Sequence, residues 1–182
     1  MVATALEANL LRGTGIQRWP KQTEREDVMN SSTMIGNFLV TSVFAGLLGG
    51  AAMLTAMLLM TRAGLAQGNM IVALGGMVTK SRDSAFRVGL IMHTISAIGF
   101  AMVYTMAMLW LGATGMPNAL FLGVAVGFFH GLVVSLMLVW VVAEGHPFEE
   151  YNEAGLAVGL SHLVGHVVYG AVVGLVVGVL PL

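Results

Sequence analysis

The stretch Ser161-His162-Leu163-Val164-Gly165-His166-Val167-Val168-Tyr169-Gly170-Ala171-Val172-Val173-Gly174-Leu175-Val176-Val177-Gly178 decides how this chain is read. It is continuously apolar and holds no Asp, Glu, Lys or Arg. Taken at a step of four it gives His162, His166, Gly170, Gly174 and Gly178. Residues four apart share one face of a helix. One stripe therefore carries two imidazoles and then three glycines, while Val and Leu fill the other faces. In a bilayer a glycine stripe is where a second helix approaches closely. Both histidines are accordingly expected to point into protein, away from lipid.

The whole chain has the same character. It has 182 residues, 57% hydrophobic and 9% charged, where a soluble domain carries about 25% charged residues. Long apolar runs with so few charges indicate an integral membrane protein. Only helices or closed barrels satisfy their backbone in lipid, and these runs are too long for barrel strands. The expected fold class is all-α, a four-helix transmembrane bundle. The absence of cysteine excludes disulfides, iron–sulfur clusters and thiolate metal sites. A net charge of -1 makes nucleic acid an unfavourable partner.

Working outward, residues 1–33 read as a polar N-terminal arm and 34–182 as the transmembrane domain. The arm alternates Arg12, Arg18, Lys21 and Arg25 with Glu7, Glu24, Glu26 and Asp27 and shows no signal-peptide pattern. Ala3 to Leu11 can form a short amphipathic helix. Transmembrane helices are expected at about 35–60, 88–111, 119–143 and 156–181. Each is long enough, at about 1.5 Å per residue, to cross a core of about 30 Å. Residues 62–87 form a long connection whose middle, Met70 to Met77, is apolar but too short to span, as in an interfacial or re-entrant segment. The connection between the third and fourth helices, Glu144 to Glu153, is acidic, and its run Glu149 to Glu153 reads as a solvated loop. Lys and Arg divide evenly between the arm and the first connection, so the positive-inside rule gives no firm orientation. Trp110 and Trp140 fall where interfacial anchors belong.

The other helices repeat the opening pattern. Gly46 and Gly50 form a small-residue row on the first helix, and Gly123, Gly127 and Gly131 form one on the third, bordered by His130. On the second helix His93 heads a row of Ala97, Ala101 and Thr105. Overlaying the two hairpins matches Gly46 and Gly50 with Gly127 and Gly131, and His93 with His166. Each hairpin crosses twice, so the copies form a parallel repeat. Helix packing is therefore assigned to Gly46, Gly50, Ala97, the third-helix glycines and the opening stripe's Gly170, Gly174 and Gly178.

The segments GLIMHTISAIGFAMVY, GVAVGFFHGLVV and SHLVGHVVYGAVVGLVVG together resemble a family of small four-helix bacterial integral membrane proteins known only as a domain of unknown function. The resemblance covers roughly 38–180, with His93, His130, His166, Tyr169 and Gly170 as its motif positions. It implies a four-helix membrane fold and brings no activity with it. The long N-terminal arm departs from the family's pattern.

Ionisable groups inside a bilayer are costly and usually functional. Here imidazole is the one such group in the helix interiors. Neutral imidazole binds transition metals, so His93, His130, His162 and His166 are candidate metal ligands. His93 and His166 sit at matched depth on facing helices and could clamp a b-type haem as a cofactor, with Tyr104, Tyr169 and Ser96 orienting the rings. His146 lies beyond the helix end on the same side. The competing expectation is that each histidine only pins its helix to the next one. The protein is then an accessory or assembly subunit of a larger membrane complex, with other membrane subunits as partners and no catalytic chemistry of its own. A small carrier or channel lined by the histidines with Ser42, Thr55 and Ser135 is the remaining expectation. Met53, Met57 and Met60 recur at helical spacing, which favours core filling over a thioether site. The expected location is the cell (inner) membrane, as a multi-pass protein.

Overall fold

The computed structural model describes residues 22–65, 69–152 and 155–182. The expected helix at 3–11 and Trp19 lie outside them. The chain divides into a unit Met1–Ile35 and a unit Gly36–Leu182. Among the described residues every regular element is helical. In chain order these are α1 (Gln22–Arg62), α2 (Met70–Thr79), α3 (Arg82–Trp110), α4 (Asn118–Met137) and α5 (Leu156–Val179). Met29–Arg62, Arg82–Trp110, Asn118–Trp140 and Leu156–Val179 are each long and apolar enough to cross a membrane. The protein is a multi-pass helical membrane protein.

Three helix ends differ from the expected ones. Helix α1 begins at Gln22, well inside the polar arm. The apolar run marks where the chain enters lipid, whereas Gln, Glu and Arg favour helix in water equally well. The Gln22 amide donates to Glu26 at 3.1 Å, and the Ser31 and Thr33 hydroxyls donate back to the Asp27 and Met29 carbonyls. Helix α3 starts at Arg82, after an extended Ser81 and with Asp83 in its first turn, where a negative charge complements the helix dipole. Helix α4 is regular only to Met137. A wide π-turn, Leu138–Val142, and a short turn, Ala143–Gly145, then complete its run. Such turns are frequent at functional sites.

The apolar segment of the first connection is the ten-residue helix α2, too short to cross. The Asn69 side chain caps it by accepting from the Val72 N–H, and Lys80 ends it in a left-handed conformation with φ 52°. Its Gly75 meets Gly89 of α3 so closely that a Cβ on either would overlap the other helix's backbone.

The glycine rows are helix contacts, as expected. A Cβ on Gly170 would overlap the Gly123 carbonyl and stand 2.9 Å from the Gly127 Cα. One on Gly127 would stand 2.5 Å from the His166 carbonyl, and one on Gly131 2.8 Å from the His166 Cβ. Gly174 meets Ala119 and Leu120, and Gly178 meets the Met116 side chain. The first hairpin packs in the corresponding register. Gly46 faces Ala97 and Ile98, and Gly50 faces Ala97 and the His93 ring. With His93 set against His166, the contacts align one turn away from the expected pairing of Gly46 with Gly127 and Gly50 with Gly131: Gly46 on the Ala97 carbonyl answers to Gly123 on the Gly170 carbonyl, and Gly50 against Ala97 and His93 answers to Gly127 against Gly170 and His166. Helix α1 also lies on α5: Gly49 touches the Tyr169 ring, Gly165 touches Met53 and Met57, and the Thr41 hydroxyl donates to the Pro181 carbonyl at 3.4 Å. Outward faces are apolar, with Phe121, Phe129, Ile95 and Val103 exposed as lipid requires. Trp110 and Trp140 are 85% and 70% exposed, consistent with anchors at the membrane surface.

Candidate functional site

Imidazole and tyrosine groups meet between α3, α4 and α5. Tyr104 of α3 bonds His130 Nδ1 of α4 at 3.0 Å, and the His130 ring lies edge-on to the His166 ring of α5 at 4.6 Å. Phe100 packs on the other side of His130 at 4.2 Å. Tyr169 donates to the Ala97 carbonyl at 2.5 Å and packs edge-on against Tyr104. Two of the expected orienting residues therefore separate. Tyr104 serves a histidine, while Tyr169 ties α5 to α3.

The Phe100, His130, His166 and Tyr169 rings line one cavity of about 600 Å³, within the range of small-molecule sites at about 300–1,000 Å³. All five histidines of the chain line it: His93, His130, His146, His162 and His166. Five methionines line it as well: Met53 and Met57 of α1, Met70 and Met77 of α2, and Met137 of α4. Ser96 and Ser161 are among its few hydroxyls, and Glu150 and Tyr151 stand at one end. Ser42, Thr55 and Ser135, expected along a pore, are not in this wall. Ser42 is fully buried with no hydrogen-bond partner among the described residues, Thr55 bonds its own helix at Ala51, and Ser135 donates to Gly159 at 2.7 Å and holds α4 to α5.

The two histidines of the opening stripe are buried, at 6% and 8% exposure. Their hydrogen bonds run along their own helix: His162 Nδ1 to the Val158 carbonyl at 2.9 Å, and His166 Nδ1 to the His162 carbonyl at 2.8 Å. A carbonyl can only accept, so each Nδ1 carries the proton and each Nε2 holds a lone pair. Neither Nε2 has a hydrogen-bond partner among the described residues. That is the arrangement metal-binding histidines adopt, with the second nitrogen fixed by a backbone carbonyl. His93 differs. Its Nε2 reaches the Gly50 carbonyl across the helix interface, at 3.4 Å.

The expected set His93, His130, His162 and His166 thus shares one cavity, and the structure adds His146. Among the described residues the two imidazoles in ring contact are His130 and His166, where the sequence favoured His93 with His166. Among the described residues no three His, Asp or Glu side chains come together tightly enough to hold one metal ion by themselves.

The short helix α2 closes the end of the cavity nearest the two connections. The acidic connection between α4 and α5 clasps it. The Phe148 N–H donates to His146 Nδ1 at 3.0 Å, which leaves the His146 Nε2–H to donate to the Ala73 carbonyl at 3.0 Å. The Phe148 ring lies over Gly76, where a Cβ would stand 2.5 Å from it, and Arg82 stacks on the same ring at 4.6 Å. Arg82 also makes a bidentate pair with Glu150, at 2.6 and 2.5 Å. The Arg82 guanidinium holds the Glu150 carboxyl below the usual carboxylate range. Burial raises the Tyr151 phenol above its ordinary value, with the Glu150 charge adding to the effect. This clasp is absent from the sequence reading, which took the run Glu149 to Glu153 as a solvated loop and assigned His146 and Phe148 no contact with the first connection. The available signal was the apolar-aromatic start of that connection, His146-Pro147-Phe148.

Comparison with known protein families, curated proteins and solved structures gives no match. The fold and site define a multi-pass helical membrane protein with a histidine-lined cavity, and the resemblance noted from the sequence adds no family assignment to that.

Proposed function

We propose that the protein is a non-catalytic accessory subunit of the cell (inner) membrane whose bundle carries a histidine-held group, a b-type haem or a transition metal. The observation that carries this reading is the convergence of every histidine in the chain on one cavity. If imidazoles served only to pin helices together, their hydrogen bonds would cross between helices. His162 and His166 bond their own helix and, among the described residues, leave Nε2 lone pairs without a protein partner. Neutral imidazole in that state is a ligand for haem iron, copper, zinc or nickel. The outward apolar faces and the N-terminal arm are where we place contacts with partner subunits.

The test is the absorption spectrum of the purified protein, oxidised and dithionite-reduced, together with elemental analysis. The reading predicts a Soret band or about one metal per chain, lost on His166→Ala. A colourless, metal-free protein that also takes up neither haem nor metal ions when they are added overturns it. Co-purification with larger membrane proteins in mild detergent tests the partner half, and a stable isolated monomer counts against that half alone.

A further inference from the structure

The histidine-held group still lacks a complete set of donors. No three His, Asp or Glu side chains among the described residues come close enough to enclose an ion. Among the described residues the cavity also offers no free anion: the one lining carboxylate, Glu150, is engaged by Arg82. A divalent ion there would stay uncompensated in low dielectric, which is costly. The remaining polarisable donors are thioethers. Met53 and Met57 lie one helical turn apart on α1 and are 4% and 8% exposed. Both pack on Gly165 of α5, where a Cβ would stand 3.2 Å from the Met53 Cγ and 3.3 Å from the Met57 Cγ. Gly165 sits between His162 and His166 on the same turn of α5. Two thioethers and two imidazoles, each pair spaced four residues apart, therefore face the same cavity across an antiparallel helix contact.

Resting on the reading of a histidine-held group, we infer that the group is a soft monovalent metal ion, Cu(I), bound by Met53 and Met57 of α1 together with His162 and His166 of α5. Thioether ligands select Cu(I) and neutral imidazole accepts copper among other metals, and the single charge of Cu(I) is the smallest such an anion-free site can be asked to hold. Gly165 has a part in this. Its missing side chain lets the methionine chains reach the level of the imidazoles. The further methionines Met70 and Met77 on the closing helix, with His146 beside them, extend the same soft lining toward the connections.

Anaerobic titration of the full chain in detergent with Cu(I), against a chromogenic competing chelator, tests the inference. The wild type is expected to take up about one Cu(I) per chain with sulfur scattering in its X-ray absorption spectrum. The double variant Met53→Leu/Met57→Leu keeps the volume and apolar character of the contact, so its thermal unfolding is expected to match the wild type. Its Cu(I) affinity is expected to fall by at least roughly ten-fold, with loss of the sulfur signal, on the scale set by disturbing a metal site. Unchanged Cu(I) affinity in the folded double variant overturns the inference. So does a resident haem with no Cu(I) uptake, which leaves the histidine-held group in place. Failure of the chain to bind Cu(I), other metal ions or haem overturns both.

Discussion

Replacing Gly170 by alanine adds one methyl group at the tightest point between α4 and α5. The Cβ would overlap the Gly123 carbonyl and stand 2.9 Å from the Gly127 Cα. Both neighbours are backbone atoms, so no rotamer change can make room, and the two helices must separate locally. Overpacking a close contact costs about 1–3 kcal/mol, and a backbone-on-backbone clash belongs at the upper end. Alanine also favours helix over glycine by up to about 1 kcal/mol, which the matched control isolates. Gly99 lies in α3 with open space around its Cβ position, so Gly99→Ala gains that propensity and loses nothing. The propensity gain is common to both variants, so they should differ by the overpacking cost alone, about 1–3 kcal/mol and toward the upper end of that range. The assay is reversible SDS-driven unfolding in mixed micelles, followed by near-ultraviolet circular dichroism of the buried aromatic groups. Equal stability of Gly170→Ala and Gly99→Ala would refute the α4–α5 register and the glycine argument behind it.

Other outcomes follow from the clasp and the buried rings. Phe148→Ala removes the ring over Gly76, a change of about 3–5 kcal/mol when a buried aromatic is lost, and hydrogen exchange should then rise across residues 70–79; unchanged protection would mean that α2 is held by α3 alone. Because the folded Glu150 pKa is depressed, the Arg82–Glu150 pair contributes stability above the ordinary carboxylate pKa and loses it as pH falls through the folded value. Exchange of α2 amides should accordingly increase on acidification, and Glu150→Gln should remove that dependence; an identical pH profile in the variant would contradict the assignment. Tyr169→Phe deletes the hydroxyl bond to Ala97 and should cost about 0.5–1.5 kcal/mol in the same SDS assay, whereas a neutral result would show that ring packing alone joins α3 to α5.

Several features were legible because they depend on local spacing. Apolar runs with few charges require helices that satisfy their own backbone in lipid. Glycine at every fourth position requires a helix partner on that face, and the stripe Gly170, Gly174 and Gly178 meets α4 as that rule demands. The same periodicity turned His162 and His166 inward. Helix ends were less legible. Polar helix such as Gln22–Thr33 and charged first turns such as Arg82–Arg87 carry no apolar signal, so hydropathy locates the bilayer and not the helix terminus.

The opening stretch shows where the division falls. By itself the sequence determined that His162, His166 and three glycines share one face of a membrane helix, because a step of four is a property of the helix alone. Only the tertiary structure decided what that face meets. Gly170 and Gly174 lie against α4, while Gly165 admits Met53 and Met57 of α1. His146, from the acidic connection beyond the end of α4, is folded back onto α2 and into the same cavity as the other histidines. These partners come from segments far apart in the chain. Their meeting depends on which helices pack at what distance, and no local spacing rule carries that information.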